Sequence, residues 1–374
     1  MPFSWEIALF DDRDSSMKPM RPLGITSRCA GPSAIPPAES VFQPVRDCYG
    51  WRLALVFGNH APGGICPYYT GERCFHCDIG AGEGAAFDLE TNRRRLAWFQ
   101  EYYRPHLASM SHLVLYNSGS FLNPLEMPPE FLDEVVGFAG SLPTVSVISL
   151  DSREPFIKPS ALRPILRAAP TKAAIHPILG IESSDDRIRN DVLRKGMSRG
   201  AINQVFDDLS QLATEFGASR IGLDVNIVIG GPGTCRERAI DDAVSTARFA
   251  LTQGAEHGIR VDLNLHPYYP GARGLSRFAD HPRCSLATMV EVGAIIADLV
   301  RSEDVATAIF MGWNDEGHDT ERRQRDRELA KAGAAFDRFN QTNDSRVLDE
   351  LRSHRMKPAH SQAINGLRRR SFPG

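Results

Sequence analysis

Six short apolar runs rich in β-branched residues recur along this chain at roughly thirty- to sixty-residue intervals: Trp51–Phe57, His112–Tyr116, Thr144–Leu150, Ala174–Ile181, Ile221–Ile229 and Ile259–Leu265. Amphipathic stretches separate them, near 89–102, 128–139, 160–168, 199–216, 237–256 and 287–301. Apolar runs of strand length alternating with helical-period segments are the pattern of βα units, whose parallel strands are buried on both faces. The chain is therefore expected to be an α/β protein. A doubly wound sheet, a full (β/α)8 barrel and an incomplete barrel all suit this number of strands, and periodicity does not choose among them.

Residues 1–50 are rich in Pro, Ser and Arg and hold neither periodicity, so they read as an irregular N-terminal extension. The barrel-like part is expected over 51–301, and 302–374 reads as a C-terminal extension covering it, with a further strand at Val305–Met311 and a charged helix face at 321–331. With 43 Lys+Arg against 46 Asp+Glu, the net charge of −3 offers no general field for phosphate, which disfavours a polyanion binder. A small-molecule substrate is favoured over RNA on that ground. No run approaches the ~20 apolar residues of a bilayer span. Glu6, Asp11, Asp12 and Asp14 stand where a signal peptide would be basic and then apolar, so a soluble, cytoplasmic protein without a membrane partner is expected.

Seven cysteines is an odd number, and three of them, Cys66, Cys74 and Cys77, fall within twelve residues, which argues against a disulfide framework. They lie in a Gly-rich loop directly after the first apolar run, spaced C-x7-C-x2-C. Three readings are open. A structural zinc site needs a fourth ligand, which locally would be His60 or His76 at no familiar zinc spacing. Unrelated free thiols rarely gather in one loop. An iron–sulfur cluster held by three thiolates would leave one iron open to a small molecule.

The cysteine loop resembles that of the radical S-adenosylmethionine (SAM) superfamily. The longer first arm resembles, in particular, the branch of the elongator-complex catalytic subunit and the radical subunit of archaeosine synthase. Asn117-Ser118-Gly119-Ser120-Phe121-Leu122-Asn123-Pro124, Ser152-Arg153-Glu154, Gly180-Ile181-Glu182-Ser183, Leu193-Arg194-Lys195-Gly196 and Ile229-Gly230-Gly231-Pro232-Gly233-Thr234 follow in the same order as in that branch. The likeness covers about residues 50–270 and departs from the usual C-x3-C-x2-C, with His76 where an aromatic is common.

The resemblance implies an incomplete parallel (β/α)6 TIM-like barrel in which Cys66, Cys74 and Cys77 ligate a [4Fe–4S] cluster. It also implies that SAM binds the open iron and is cleaved by one electron from a donor such as flavodoxin or ferredoxin. The resulting 5′-deoxyadenosyl radical would abstract hydrogen from the substrate. Ser118, Gly119 and Ser120 would meet the amino or carboxylate group of SAM, as would Glu182, Ser183 and Lys195, while Asn226 and Gly230 complete the expected contacts. Taken as residues alone, Ser118–Ser120 is equally a plain strand-to-helix turn, and Glu182–Ser183 equally a capped helix start. His266, Tyr268, Tyr269 and Arg273 end the sixth run and are expected to face substrate. The branch acts with transfer RNA, so RNA modification is the alternative to a biosynthetic small molecule; a non-catalytic zinc-binding interaction module is the alternative of another class.

Overall fold

The computed structural model describes residues 34–36, 41–71, 73–77, 85–268, 284–312 and 327–353. Eight strands form one sheet in sequence order: β1 (Val45–Asp47), β2 (Gly50–Val56), β3 (Met110–Tyr116), β4 (Val147–Asp151), β5 (Ala174–Glu182), β6 (Gly222–Ile229), β7 (Arg260–Pro267) and β8 (Ile309–Met311). β2 to β8 are parallel neighbours throughout, and β1 pairs antiparallel with β2. Strands that run parallel in sequence order with a helix after each one curl into a barrel rather than a doubly wound sheet, which would reverse its strand order. The barrel is nearly closed. β1 is the departure from expectation: it lies within the extension read as irregular, and its three residues are too few to show a period.

The helices fall where the amphipathic stretches do: α1 (Leu89–Tyr102), α2 (Pro129–Ser141), α3 (Pro159–Ala168), α4 (Arg199–Phe216), α5 (Arg236–His257) and α6 (Leu286–Ser302). Side-chain caps fix three of their starts, since Asp88, Ser198 and Ser285 accept from the backbone N–H of Thr91, Ala201 and Thr288. Between helices and sheet lies the main core, to which β2 gives Leu53 and Leu55, β3 gives Leu113 and Leu115, and β6 gives Leu223, Val225 and Ile227. The alternate residues point into the barrel. There Ala54, Val114, Tyr116 and Ile178 form a separate small apolar cluster.

Below that cluster the interior is polar and hydrogen-bonded across strands. His112 bonds Asp47 at 2.6 Å and Ser149 at 2.8 Å, Ser149 donates to Asp224 at 2.6 Å, and His176 meets Asp224 at 2.9 Å and Asp262 at 3.5 Å. Tyr49, just after β1, donates its hydroxyl to Asp262. Burial disfavours a charged His176, but Asp224 and Asp262 outweigh it and hold the imidazole above its usual range, so the floor is an ionic network.

The gap between the sheet edges is spanned by α7 (Arg327–Thr342), which packs on both β1 and β8. α8 (Ser345–Ser353) follows and packs on α6. Edge strands carry unpaired backbone groups. Asn340 and Asn343 meet them, Asn340 bonding both backbone groups of Met311 and Asn343 both of Ile309.

Candidate active site

At the C-terminal ends of the strands a cavity opens whose lining includes all three loop cysteines, Cys66, Cys74 and Cys77. Cys66 follows a turn in which Gly63 and Gly64 take φ of 72° and 67°, and a side chain at Gly64 would meet the Ala85 carbonyl oxygen at 2.0 Å. Cys74 itself has φ of 55°, a strained setting for a residue with a Cβ. The strain is held by a two-rung backbone ladder, in which Cys74 N–H donates to the Arg194 carbonyl at 3.1 Å and Phe75 N–H to that of Leu193 at 3.0 Å. The Cys77 N–H then turns back to the Cys74 carbonyl at 2.9 Å. Burial, with Glu126 nearby, pushes the Cys66 thiol up to about 11.

The donor set bears on what these sulfurs hold. A single zinc ion with Zn–S bonds of about 2.3 Å draws its ligands together. Among the described residues, His176, Asp224 and Asp262 on the barrel floor bring potential ligand atoms within 4.8 Å of one another. A cubane places each thiolate on a different iron, and Cys66, Cys74 and Cys77 all line this one cavity.

The segment after β3 wraps a buried carboxylate. Glu126 accepts from Asn59 Nδ2 at 2.9 Å, the Ser120 N–H at 3.0 Å and Asn123 Nδ2 at 2.6 Å; burial still raises its carboxyl above the usual range. Gly119 packs against it so closely that a Cβ there would lie 1.6 Å from Glu126 Oε2. Ser118 and Gly119 line the cavity, and the Ser118 hydroxyl donates to the Gly64 carbonyl at 3.2 Å, tying this turn to the cysteine loop. Ser120 is fully buried and does not line the cavity; its hydroxyl accepts from the Arg153 N–H at 3.3 Å.

Glu182, at the end of β5, has φ of 63° beside a register shift in the pairing with β6. The shift turns its carboxylate into the cavity, where it meets Lys195 Nζ at 2.5 Å and His76 Nε2 at 3.4 Å. Burial alone would raise this carboxyl, yet the Lys195 ammonium and the His76 ring hold it well below the usual carboxylate range. Gly180 makes room for the pair, since a Cβ there would meet Glu182 Oε1 at 2.2 Å and Lys195 Nζ at 2.3 Å.

Asn226 lines the cavity and accepts from Asn264 Nδ2 at 3.1 Å, and His266 and Tyr268 line it on the β7 side. Ser183 and Gly230 do not. Ser183 donates instead to Asp242 at 2.6 Å, because the register shift that turns Glu182 inward turns its neighbour out toward α5. Gly230, with φ of 77°, backs onto Cys284. Tyr269 and Arg273 lie outside the described residues.

Further lining comes from Asn117, Ser152 and Arg153, which belong to the motifs named from sequence, from His76 in the cysteine loop, and from Asp151 and Tyr69, which were not singled out from sequence. His76 Nδ1, Asn117 Nδ2 and Ser152 Oγ are buried without a hydrogen-bond partner. Such atoms cost free energy unless something meets them, and a polar ligand in the cavity would do so. Asn117 and Ser152 stand just past the ends of apolar runs, and His76 stands in the cysteine loop.

No protein-family model matches the chain, and no curated protein matches it. Among solved structures it is similar to the radical S-adenosylmethionine methyltransferase TsrM from Kitasatospora setae with cobalamin and a [4Fe-4S] cluster bound, at 16% identity and a TM-score of 0.33, over 60% of this chain and 36% of that one. It is similar to the same enzyme with tryptophan substrate and the SAM analogue aza-SAM bound, at 15% identity and a TM-score of 0.33, over 65% of this chain and 39% of that one. The chain thus spans less than two-fifths of the length of the structures it matches.

Proposed function

We propose that the protein is a radical SAM enzyme in which Cys66, Cys74 and Cys77 hold a [4Fe–4S] cluster, SAM occupies the adjoining cavity, and a small molecule is the substrate. The observation that carries this reading is one cavity at the strand C-termini that combines the three cysteines with buried, unpartnered polar atoms and a fixed Glu182–Lys195 pair. Such a cluster, once bound and given an electron by a flavodoxin- or ferredoxin-type donor, supplies reductive cleavage of SAM and hence a carbon radical that removes hydrogen from the substrate.

The chain's own residues orient and enclose. Glu182 and Lys195 present opposite charges at fixed positions, which suits the amino and carboxylate groups of an amino acid. Ser118, Gly119, Asn117, Ser152 and Asn226 add polar groups and room along the wall, and Gly119 keeps that wall flat against Glu126. Tyr69, Tyr116, His266 and Tyr268 bring aromatic surface that excludes water, which a radical reaction requires. A small molecule is favoured over RNA because the chain carries a net charge of −3.

Anaerobic reconstitution of the full chain with iron and sulfide tests the reading. Brown protein whose visible absorbance bleaches with dithionite, and which releases 5′-deoxyadenosine from SAM, is expected; Cys74→Ala should lose both properties. Colourless protein carrying stoichiometric zinc would establish a binding module instead, and tight RNA binding that weakens steeply with salt would move the substrate to RNA.

A further inference from the structure

Cys74 is held by a side chain from elsewhere in the fold: Arg153 Nη1 donates to its sulfur at 3.0 Å, across 79 residues of sequence. The guanidinium has little freedom to do anything else. Its Nη2 donates to the Lys195 carbonyl at 2.8 Å, its Nε faces Glu154 at 3.3 Å, and its plane lies over the Tyr68 ring at 3.9 Å. Arg153 is only 8% exposed, so water does not compete for the sulfur-facing N–H.

We propose that Arg153 sets the reduction potential of the iron–sulfur cluster through this hydrogen bond to Cys74, a role that rests on the cluster assignment above. Reduction adds one electron and no bond, and the extra negative charge spreads onto the thiolate sulfurs. A directed N–H donor on one of those sulfurs stabilises the reduced state more than the oxidised state and so raises the potential. Glu154 offsets the net charge of the guanidinium, so the effect is that of one oriented donor rather than of a free cation. The contact joins the cysteine loop to the backbone at Lys195, whose ammonium holds Glu182, so the cluster and the SAM-facing pair share one support.

The test is an anaerobic redox titration of the reconstituted full chain, read by visible absorbance and electron paramagnetic resonance, with iron per chain measured in each sample. Arg153→Met should shift the one-electron midpoint negative by at least a tenfold change in the reduction equilibrium, 59 mV. Arg153→Lys should fall between it and wild type. Glu154→Gln, which removes the offsetting charge, should move the midpoint the other way; a purely structural role would not give shifts of opposite sign.

An Arg153→Met midpoint shifted by less than that tenfold change in the reduction equilibrium, or shifts of the same sign for Arg153→Met and Glu154→Gln, would overturn the proposal while leaving the cluster in place. Loss of iron from Arg153→Lys as well as Arg153→Met would also overturn it, by making Arg153 a scaffold residue. Failure of wild type to hold a cluster would instead remove the reading on which it rests.

Discussion

Removing the Lys195 ammonium probes the site most directly, because it strands a buried carboxylate. Glu182 is 5% exposed and Lys195 6%, with 2.5 Å between Oε1 and Nζ, so Lys195→Met leaves an isosteric apolar chain and a buried carboxylate without its nearest cation. Breaking a buried pair from one side costs about 3–5 kcal/mol, and His76 at 3.4 Å retains part of the compensation, which puts the expected loss near the lower end. The sign of its pH dependence follows from the two carboxyl environments. In wild type the Glu182 carboxyl is held below its unfolded value, so its contribution is present above that value and is lost only as pH falls through the lowered one. In the variant, burial is opposed by His76 alone and the carboxyl rises, so the penalty deepens as pH rises and relaxes as pH falls.

Urea unfolding followed by circular dichroism should therefore show a gap of about 3 kcal/mol at pH 7.5 that narrows at pH 5. Adding Glu182→Gln to Lys195→Met should recover at least half of it. A gap below about 1 kcal/mol, typical of a solvated pair, or one that is the same at both pH values, would refute the argument that this is a desolvated ion pair.

Two further outcomes follow from the same geometry. Gly119→Ala places a Cβ 1.6 Å from Glu126 Oε2 and 2.8 Å from Asn59 Nδ2, so it should displace the buried carboxylate, cost about 2–3 kcal/mol in urea unfolding and abolish SAM binding in equilibrium dialysis of the reconstituted protein; wild-type values would show that the turn yields freely. Burial pushes the Asp242 carboxyl from 3.8 up to about 6, so its contribution is fully present below 3.8 and lost as pH rises through about 6. Asp242→Asn should accordingly stabilise the fold by about 1–2 kcal/mol at pH 7.5 and hardly at all at pH 4, as thermal melting would show; equal gains at both would place the benefit elsewhere.

The order of strands and helices was legible because a parallel strand buried on both faces and a helix buried on one have different periods. Strand ends held within a few residues: Ile259–Leu265 against Arg260–Pro267, and Thr144–Leu150 against Val147–Asp151, where Thr144 is spent on hydrogen bonds to the Ala108 and Met110 carbonyls. β1 was not legible, since three residues show no period and owe their strand form to the free edge of β2.

At the site, the sequence by itself determined the cysteine loop, because its sulfurs and glycines are neighbours in the chain and their chemistry is local. It also determined that polar residues stand where strands end. Tertiary structure decided which of them face inward: one register shift between β5 and β6 sends Glu182 into the cavity and Ser183 to Asp242, a choice made by a hydrogen-bond ladder rather than by composition. It alone decided the pairing of Arg153 with Cys74 and of Asn59 with Glu126, across 79 and 67 residues. Burial sets the strength of such contacts, and burial exists only once the barrel has closed around them.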